Sequence, residues 1–201
     1  MGKGGPHEQG PDDRPHNKEV ARYALSFIGG DPKVARFYNE DESKAIAILT
    51  CTDSDLDDLT ALSTIGLNDI DVGQTLAGSP LRVELMTAGL APEDTLGRIL
   101  ATTAFDVMDA GYCRYGAVAR DVLSTNDIDS PLDHMLLLSP IFWSRYEALA
   151  LPDRTIAWLY ALPISEGERA FIEESGIEAF EALLERSHAD IFDLLRKPIV
   201  P

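Results

Sequence analysis

One uncharged stretch near the C-terminus restricts the possible folds of this chain more than any other feature. Residues 155–162 read TIAWLYAL and carry no charged side chain. A strand open to water on one face alternates apolar and polar residues, whereas a strand covered on both faces is apolar throughout. Pro163 cannot donate a hydrogen bond to a neighbouring strand and is expected to end the run. The stretch therefore predicts a central strand buried on both faces.

A helix start follows this strand directly. Ser165 and Glu168 have the S-x-x-E spacing of a capping box, in which each side chain accepts a hydrogen bond from the other residue's backbone N–H. We expect this helix to begin near Glu166. Ser175 and Glu178 repeat the spacing and predict a second short helix.

Other helices are indicated by cap residues and helical spacing. Asn17 is expected to cap a first helix, and Asp31-Pro32 resembles a cap followed by a first-turn proline. The clearest helix is predicted over residues 92–108, with a single apolar stripe. It should end at Gly111.

Short apolar runs predict the remaining strands. Residues 45–50 and 60–67 are expected to pair as a hairpin, and the alternation in residues 81–86 predicts a strand with one exposed face. The polar residues 68–80 are expected to form a long surface connection. Further strands are predicted at 117–123 and 134–139. Because the order is too varied for regular βαβ repeats, the predicted fold class is α+β.

The composition bounds the domain organisation. Residues 1–16 hold four glycines and three prolines and no aliphatic residue after Met1, which predicts a disordered Gly/Pro-rich tail. Residues 17–201 are expected to form one domain, since a chain of this size can bury a sizeable core without staples. Cys51 and Cys113 are far apart in apolar or aromatic surroundings, as expected of reduced, buried thiols.

The charge of the chain excludes several classes of partner. Its 17 basic and 34 acidic residues give a formal net charge of -17, which repels nucleic-acid phosphates and anionic membrane surfaces. A basic protein is the natural complement. No apolar run approaches the roughly 18 residues of a membrane span, and the N-terminus lacks an apolar signal core. We therefore expect a cytoplasmic protein that binds neither nucleic acid nor membrane.

The first candidate site is an acidic loop between the two hairpin strands. Asp53, Asp55, Asp57 and Asp58 give a D-x-D-x-D-D sequence that resembles the start of a calcium loop. The glycine expected at the sixth position is Asp58, however, and the glutamate expected at the twelfth is Thr64. The interpretation preferred over a cation site is a solvated acidic loop that faces a basic partner.

Candidate catalytic residues are few. Arg82 and Glu84 share one face of a predicted strand, where structural pairing is favoured over acid–base chemistry. His134 follows Asp133, but neighbours in a strand point to opposite faces, so that aspartate is not expected to orient the ring. A structural histidine is the preferred interpretation. The sequence contains no P-loop, G-x-G-x-x-G or G-x-S-x-G motif, and we expect no cofactor and no metal.

Four motifs in order resemble the suppressor of fused-like domain, over roughly residues 17–198. They are STIGL at 63–67, RVEL at 82–85, a tryptophan-to-PISxxE stretch at 158–168, and LLRK at 194–197. The resemblance implies a mixed, mainly antiparallel β-sheet flanked by helices, with a C-terminal helical group. It also implies a protein that acts by binding and has no catalytic residues. The eukaryotic member holds a transcription factor by means of a second, C-terminal domain outside this resemblance, so we do not expect that partner here.

The bacterial single-domain members of that family resemble immunity proteins of polymorphic toxin systems, and this resemblance gives the leading hypothesis. We expect a non-catalytic immunity protein whose partner is a basic toxin domain, captured faster because the charges are complementary. The alternative is an intracellular regulatory or scaffold domain that adds a strand of its partner to a sheet edge. An enzyme is the third possibility. The residues expected to contact the partner are Asp53, Asp55, Asp57, Asp58, Asp69 and Asp71.

Overall fold

The computed structural model describes residues 16–52, 59–140, 143 and 146–200. Residues 1–15 of the predicted tail and the acidic loop at 53–58 lie outside these residues, whereas His16 is described and precedes the first helix. In chain order the elements are α1 Asn17–Ile28, β1 Asp31–Tyr38, β2 Ala45–Thr52, β3 Thr60–Ile65, β4 Gln74–Leu76, β5 Ser79–Gly89, α2 Glu93–Ala110, β6 Val118–Ala119, α3 Val122–Thr125, β7 His134–Leu138, β8 Leu149–Ala150, β9 Thr155–Ile164, α4 Glu166–Ser175 and α5 Ile177–Ser187.

The strands form one open mixed sheet in the order β1-β2-β3-β5-β9-β7-β6, with β4 against β5 and β8 against β9. Among the described strands, β5 and β9 are the parallel pair, and the other pairings are antiparallel. The predicted hairpin of β2 and β3 is confirmed. The α+β class and the mainly antiparallel sheet are confirmed as well.

The uncharged run is the central strand β9, as predicted. It lies between β5 and β7, and most of its residues are buried. The prediction that Pro163 ends the strand is wrong, because β9 continues to Ile164 and Pro163 pairs with Met135. The Pro163 carbonyl accepts a hydrogen bond from Arg196 (2.9 Å) on the side away from β7. N–H and C=O of one strand residue point to the same side, so the missing N–H faces away from β7, past the last β5–β9 pair at Met86 and Tyr160, and costs no ladder bond.

Helices cover both faces of the sheet. One core cluster lies beneath α2, and the other joins residues of α1 and α5 to the opposite face. The predicted helix of residues 92–108 is confirmed as α2, and Gly111 ends it with a φ of 57°. A Cβ at Gly97 of α2 would lie only 2.4 Å from Cζ of Phe37, so the glycine allows β1 to approach the helix. No helix of the described part of the chain is long and apolar enough to cross a membrane.

Several predicted elements are wrong because tertiary pairing overrides local signals. Asp31-Pro32 opens strand β1 and not a helix, since all eight residues of β1 pair with β2. The segment 117–123 holds only the two-residue β6 before α3 begins. The strand predicted at 81–86 is buried on both faces over most of its length, because β3 and β9 flank it and helices cover it.

Two predicted helix caps and one predicted connection also differ from those in the structure. The N-cap of α1 is His16, and Asn17 is the first helical residue. The box at Ser165 and Glu168 is confirmed by both hydrogen bonds, but Gly176 starts α5 in place of the second box. The connection at 68–80 contains β4 and its turn into β5.

Candidate functional site

The structure describes two of the six predicted contact residues, Asp69 and Asp71. Asp53, Asp55, Asp57 and Asp58 lie outside the described residues, in the segment that joins the end of β2 to the start of β3. Asp69 follows the opposite end of β3, in a short 3-10 helix, Leu67–Asp69. Asp71 follows Asp69 by two residues, in the connection that leads to β4.

Arginines partly neutralise the two aspartates that the structure does describe. Asp69 lies 3.3 Å from Nη1 of Arg154, and Asp71 lies 2.9 Å from Nη1 of Arg82. The Asp71 side chain stays 71% exposed, whereas that of Asp69 is 26% exposed. Asp71 is therefore the better placed of the two to meet a partner.

Glu84 does not pair with Arg82, although both residues form hydrogen bonds with other groups of the protein. Its side chain is completely buried and accepts hydrogen bonds from Thr64 Oγ1 (2.5 Å), the Gly66 N–H (2.9 Å) and Asn68 Nδ2 (2.7 Å). Burial raises the pKa of Glu84, and these hydrogen bonds act against the rise. The predicted Arg82–Glu84 pair is wrong because the backbone turn after β3 supplies donors to the glutamate.

This turn joins two of the family motifs into one unit. Gly66 has a φ of 100°, a conformation that suits glycine, and directs its N–H and that of Asn68 toward the Glu84 carboxylate. Thr64 Oγ1 also accepts the Leu85 N–H at 2.8 Å. STIGL and RVEL therefore build a buried turn whose polar groups are used internally.

The other two motifs meet at Glu168. This completely buried carboxylate closes the capping box with Ser165. It also accepts hydrogen bonds from both terminal nitrogens of Arg196, at 2.7 and 3.0 Å. The Ile199 N–H donates to it at 2.9 Å. We call this unit, formed by Ser165, Glu168, Arg196 and Ile199, the C-terminal lock. It fastens the end of the chain to the start of α4.

His134 also has a structural role. Its Nδ1 accepts the Asp121 N–H at 2.9 Å, so Nε2 carries the proton that faces Glu166 Oε2, also at 2.9 Å. Hydrogen bonds from Arg169 and then from His134 lower the pKa of Glu166 to about 2. As predicted, Asp133 does not orient the ring through a hydrogen bond, and it accepts from Ser124 at 2.8 Å.

Asp121, Asp133 and His134 form a group with potential metal-ligand atoms within 4.8 Å of one another. The ring nitrogen on this side is Nδ1, which lies 3.6 Å from Oδ1 of Asp121. Because that nitrogen accepts a backbone N–H, its lone pair is not available to a cation. The donor set does not fit a metal ion.

Two surface grooves remain as possible binding features. A larger one, of about 610 Å³, lies between α5 and one face of the sheet. A smaller one, of about 500 Å³, lies between the end of α2 and β6, where burial first and Asp109 second raise the pKa of Asp106. Neither groove is lined by Glu84, His134 or Glu168.

The edge strand β1 is a third exposed feature. Val34 and Tyr38 lie on one face of this strand and are 54% and 55% exposed. Sequence reasoning missed β1 because DPKVARFY opens with a helix-start signal. Its β-branched and aromatic residues were the signal that indicated a strand.

Comparisons with known proteins agree on one family. The sequence model described as Suppressor of fused protein (SUFU) matches residues 42–197. The Immunity protein YqcF of Bacillus subtilis (strain 168) is 33% identical over 186 residues, which cover 92% of this chain and 97% of that protein.

Solved structures show the same fold at lower identity. A SUFU homologue from Neisseria gonorrhoeae superposes with a TM-score of 0.68 at 16% identity, covering 92% of this chain and 97% of its own. The structure of the Sufu–Fu complex gives 0.59 at 12% identity over 86% and 84% of the two chains. Drosophila Suppressor of Fused gives 0.55 at 12% identity, over 78% of this chain but 43% of that one.

Proposed function

The chain belongs to the suppressor of fused family, and from that premise we propose that it is a bacterial immunity protein that neutralises a polymorphic toxin by binding it directly. The observation that carries the proposal is the 33% identity to an immunity protein over nearly the full length of both chains. The protein acts in the cytoplasm and has no catalytic activity of its own.

The arrangement of the motif residues supports a binding function over an enzymatic one. The two buried glutamates and Arg196 are held by internal hydrogen bonds away from both grooves. Catalytic acids and bases need a pocket in which they can meet a substrate. The strongest sequence motifs thus stabilise the scaffold, and the partner is bound elsewhere.

The net charge supports a basic toxin domain as the partner. At -17, the chain attracts a cationic surface and speeds its capture at physiological ionic strength. We assign the contact to Asp53, Asp55, Asp57 and Asp58, with Asp71 and the more buried Asp69 at the other end of β3.

The test is co-expression of this chain with the toxin domain encoded beside its gene. We expect growth to be restored and an equimolar complex to be recovered at about 0.15 M salt, weakening toward 0.5 M as charges are screened. Rescue without a complex, or no rescue at all, would reject direct neutralisation.

The assignment of the acidic loop has its own test. Asp55→Lys combined with Asp57→Lys should weaken toxin binding by about tenfold, measured by calorimetry, because rim charges govern association. The matched control is Glu40→Lys with Asp129→Lys, which makes the same charge change at exposed positions. Equal effects in the two double variants would show that only net charge matters.

The second candidate function is a regulatory domain that receives a partner strand at β1. The exposure of β1 at the sheet edge favours it. Val34→Lys would weaken binding of an endogenous protein in that case, whereas an immunity protein that binds its toxin through the acidic loop would keep neutralising it in this variant.

A further inference from the structure

The larger groove has an apolar floor and apolar walls. Leu138, Tyr160 and Leu162 of the sheet form the floor, and Leu184 of α5 and Ile191 form part of the walls. Tyr160 directs its hydroxyl to the Ala88 carbonyl at 3.3 Å, so its polar end is used away from the groove. At about 610 Å³ the groove is large enough for several side chains of a partner.

The rim of this groove is acidic. Glu181 and Glu185 lie one turn apart on α5, and His188 and Asp190 lie further along the groove. Glu178 lies one turn before Glu181 on the same side of α5, next to the residues that line the groove. In the part of the chain that the structure describes, no Lys, Arg or His side chain forms an ion pair with the three glutamates. Glu181 accepts a hydrogen bond from the Tyr115 hydroxyl, at 2.5 Å. The rim therefore offers carboxylates without a cation of their own.

An apolar floor beside unpaired carboxylates specifies the chemistry of the occupant. Apolar side chains gain from burial against the half-buried walls of the groove, and lysines or arginines beside them gain from the carboxylates as water is displaced. Small exposed Ala182 leaves the groove open along α5. Amphipathic segments bind such grooves through a few apolar anchor residues.

We propose that the groove between α5 and the sheet binds a basic amphipathic segment of the toxin, with apolar anchors against the half-buried Leu184 and Ile191 and cations beside Glu178, Glu181 and Glu185. This inference rests on the proposed function and adds a second contact to the acidic loop.

The other occupants fit less well. A second copy of this chain carries a charge of -17 and would bring acidic surface against the acidic rim. The N-terminal residues 1–16 contain no aliphatic residue after Met1, so they supply no row of apolar anchors.

Two variants test the floor and the rim separately. Ala182→Trp fills the groove and should weaken binding of the neighbouring-gene toxin domain by about tenfold or more, because anchor residues carry most of the affinity of an interface. Glu178→Lys with Glu185→Lys should weaken it by about tenfold at 0.15 M salt and by less at 0.5 M. Binding is measured by calorimetry with the full chain, and folding by circular dichroism.

The control is again Glu40→Lys with Asp129→Lys, which changes the net charge equally and should alter affinity by about twofold at most. Wild-type protein that neither binds nor protects would reject the proposed function and the groove site together. Wild-type protein that protects, with both groove variants binding equally well, would reject the groove alone. A dimer seen by ultracentrifugation and lost in Ala182→Trp would assign the groove to a second copy and overturn the inference.

Discussion

The buried turn around Glu84 and the C-terminal lock around Glu168 each supply hydrogen bonds to a buried carboxylate, but from different donors. Both glutamates are completely buried. Glu168 faces the guanidinium of Arg196 through two hydrogen bonds, whereas Glu84 is surrounded by N–H and O–H donors and, within the described residues, has no cation against its carboxylate.

The difference shows what each region requires of the sequence. An ion pair can join segments far apart in the chain, and here it connects the start of α4 to a residue 28 positions later. A carboxylate held by backbone N–H groups needs a particular turn, which Gly66 and the following 3-10 helix provide. The lock therefore depends on two charges, and the Glu84 turn depends on backbone conformation.

The largest expected effect tests the counterion of the lock. Arg196→Met leaves Glu168 buried and unpaired, which should lower the free energy of unfolding by about 3–5 kcal/mol. Urea denaturation measures the loss, with the exposed neighbour Lys197→Met as the control. Similar midpoints for the two variants would show that the ion pair contributes little.

A smaller effect is expected from the corresponding change in the other region. Glu84→Gln turns an amide NH₂ toward backbone donors and should cost about 1–3 kcal/mol, because buried donors are left unsatisfied. The matched variant is exposed Glu40→Gln, which should leave the denaturation midpoint unchanged. If Glu84→Gln also leaves the denaturation midpoint unchanged, the donors around Glu84 do not stabilise its charged form.

The backbone of the Glu84 turn provides the third prediction. Gly66→Ala should cost about 1–2 kcal/mol, since a non-glycine residue is strained at positive φ. Its Cβ would also lie 3.3 Å from Nδ2 of buried Asn17. Gly78→Ala has a similarly positive φ of 84° but meets no atom within 4 Å. Thermal unfolding of the two variants should show the larger loss at Gly66, and equal losses would leave backbone strain as the sole cause.

The smallest effect concerns an exposed carboxylate, which extends the comparison to the surface. The Arg169 hydrogen bond is the largest cause that lowers the pKa of Glu166 from 4.5 to about 2. Arg169→Met should move this pKa back toward 4.5, as read from the carboxyl ¹³C shift during an NMR titration. A folded-state pKa below the unfolded value stabilises above pH 4.5, and that contribution is lost as the pH falls toward 2. An unchanged titration midpoint would contradict the ion pair.

Much of the scaffold was predictable because the local sequence and the tertiary packing favour the same secondary structure there. The uncharged run of β9, the box at Ser165 and Glu168, and the apolar stripe of α2 are all confirmed. Strand β1 was not predictable from its opening residues, because its conformation depends on pairing with β2 along its whole length.

The site was less accessible to sequence reasoning than the scaffold. The acidic loop and Asp71 were found as charge clusters, and their contact with a partner stays a prediction. The groove is built from residues more than 50 positions apart, from Leu138 to Ile191. No local pattern reports that these side chains share one surface.

Local sequence patterns and composition were enough to establish the central strand, the capping box at Ser165 and Glu168, the net charge of -17 and the family to which the chain belongs. These properties depend on residues close together in the chain or on composition alone. Three features depend on the tertiary structure: Glu84 is held by backbone donors, Glu168 pairs with Arg196, and the α5 groove joins an apolar floor to an acidic rim. Each of these arises from side chains brought together across the sheet, where burial and hydrogen bonding depend on segments distant in sequence.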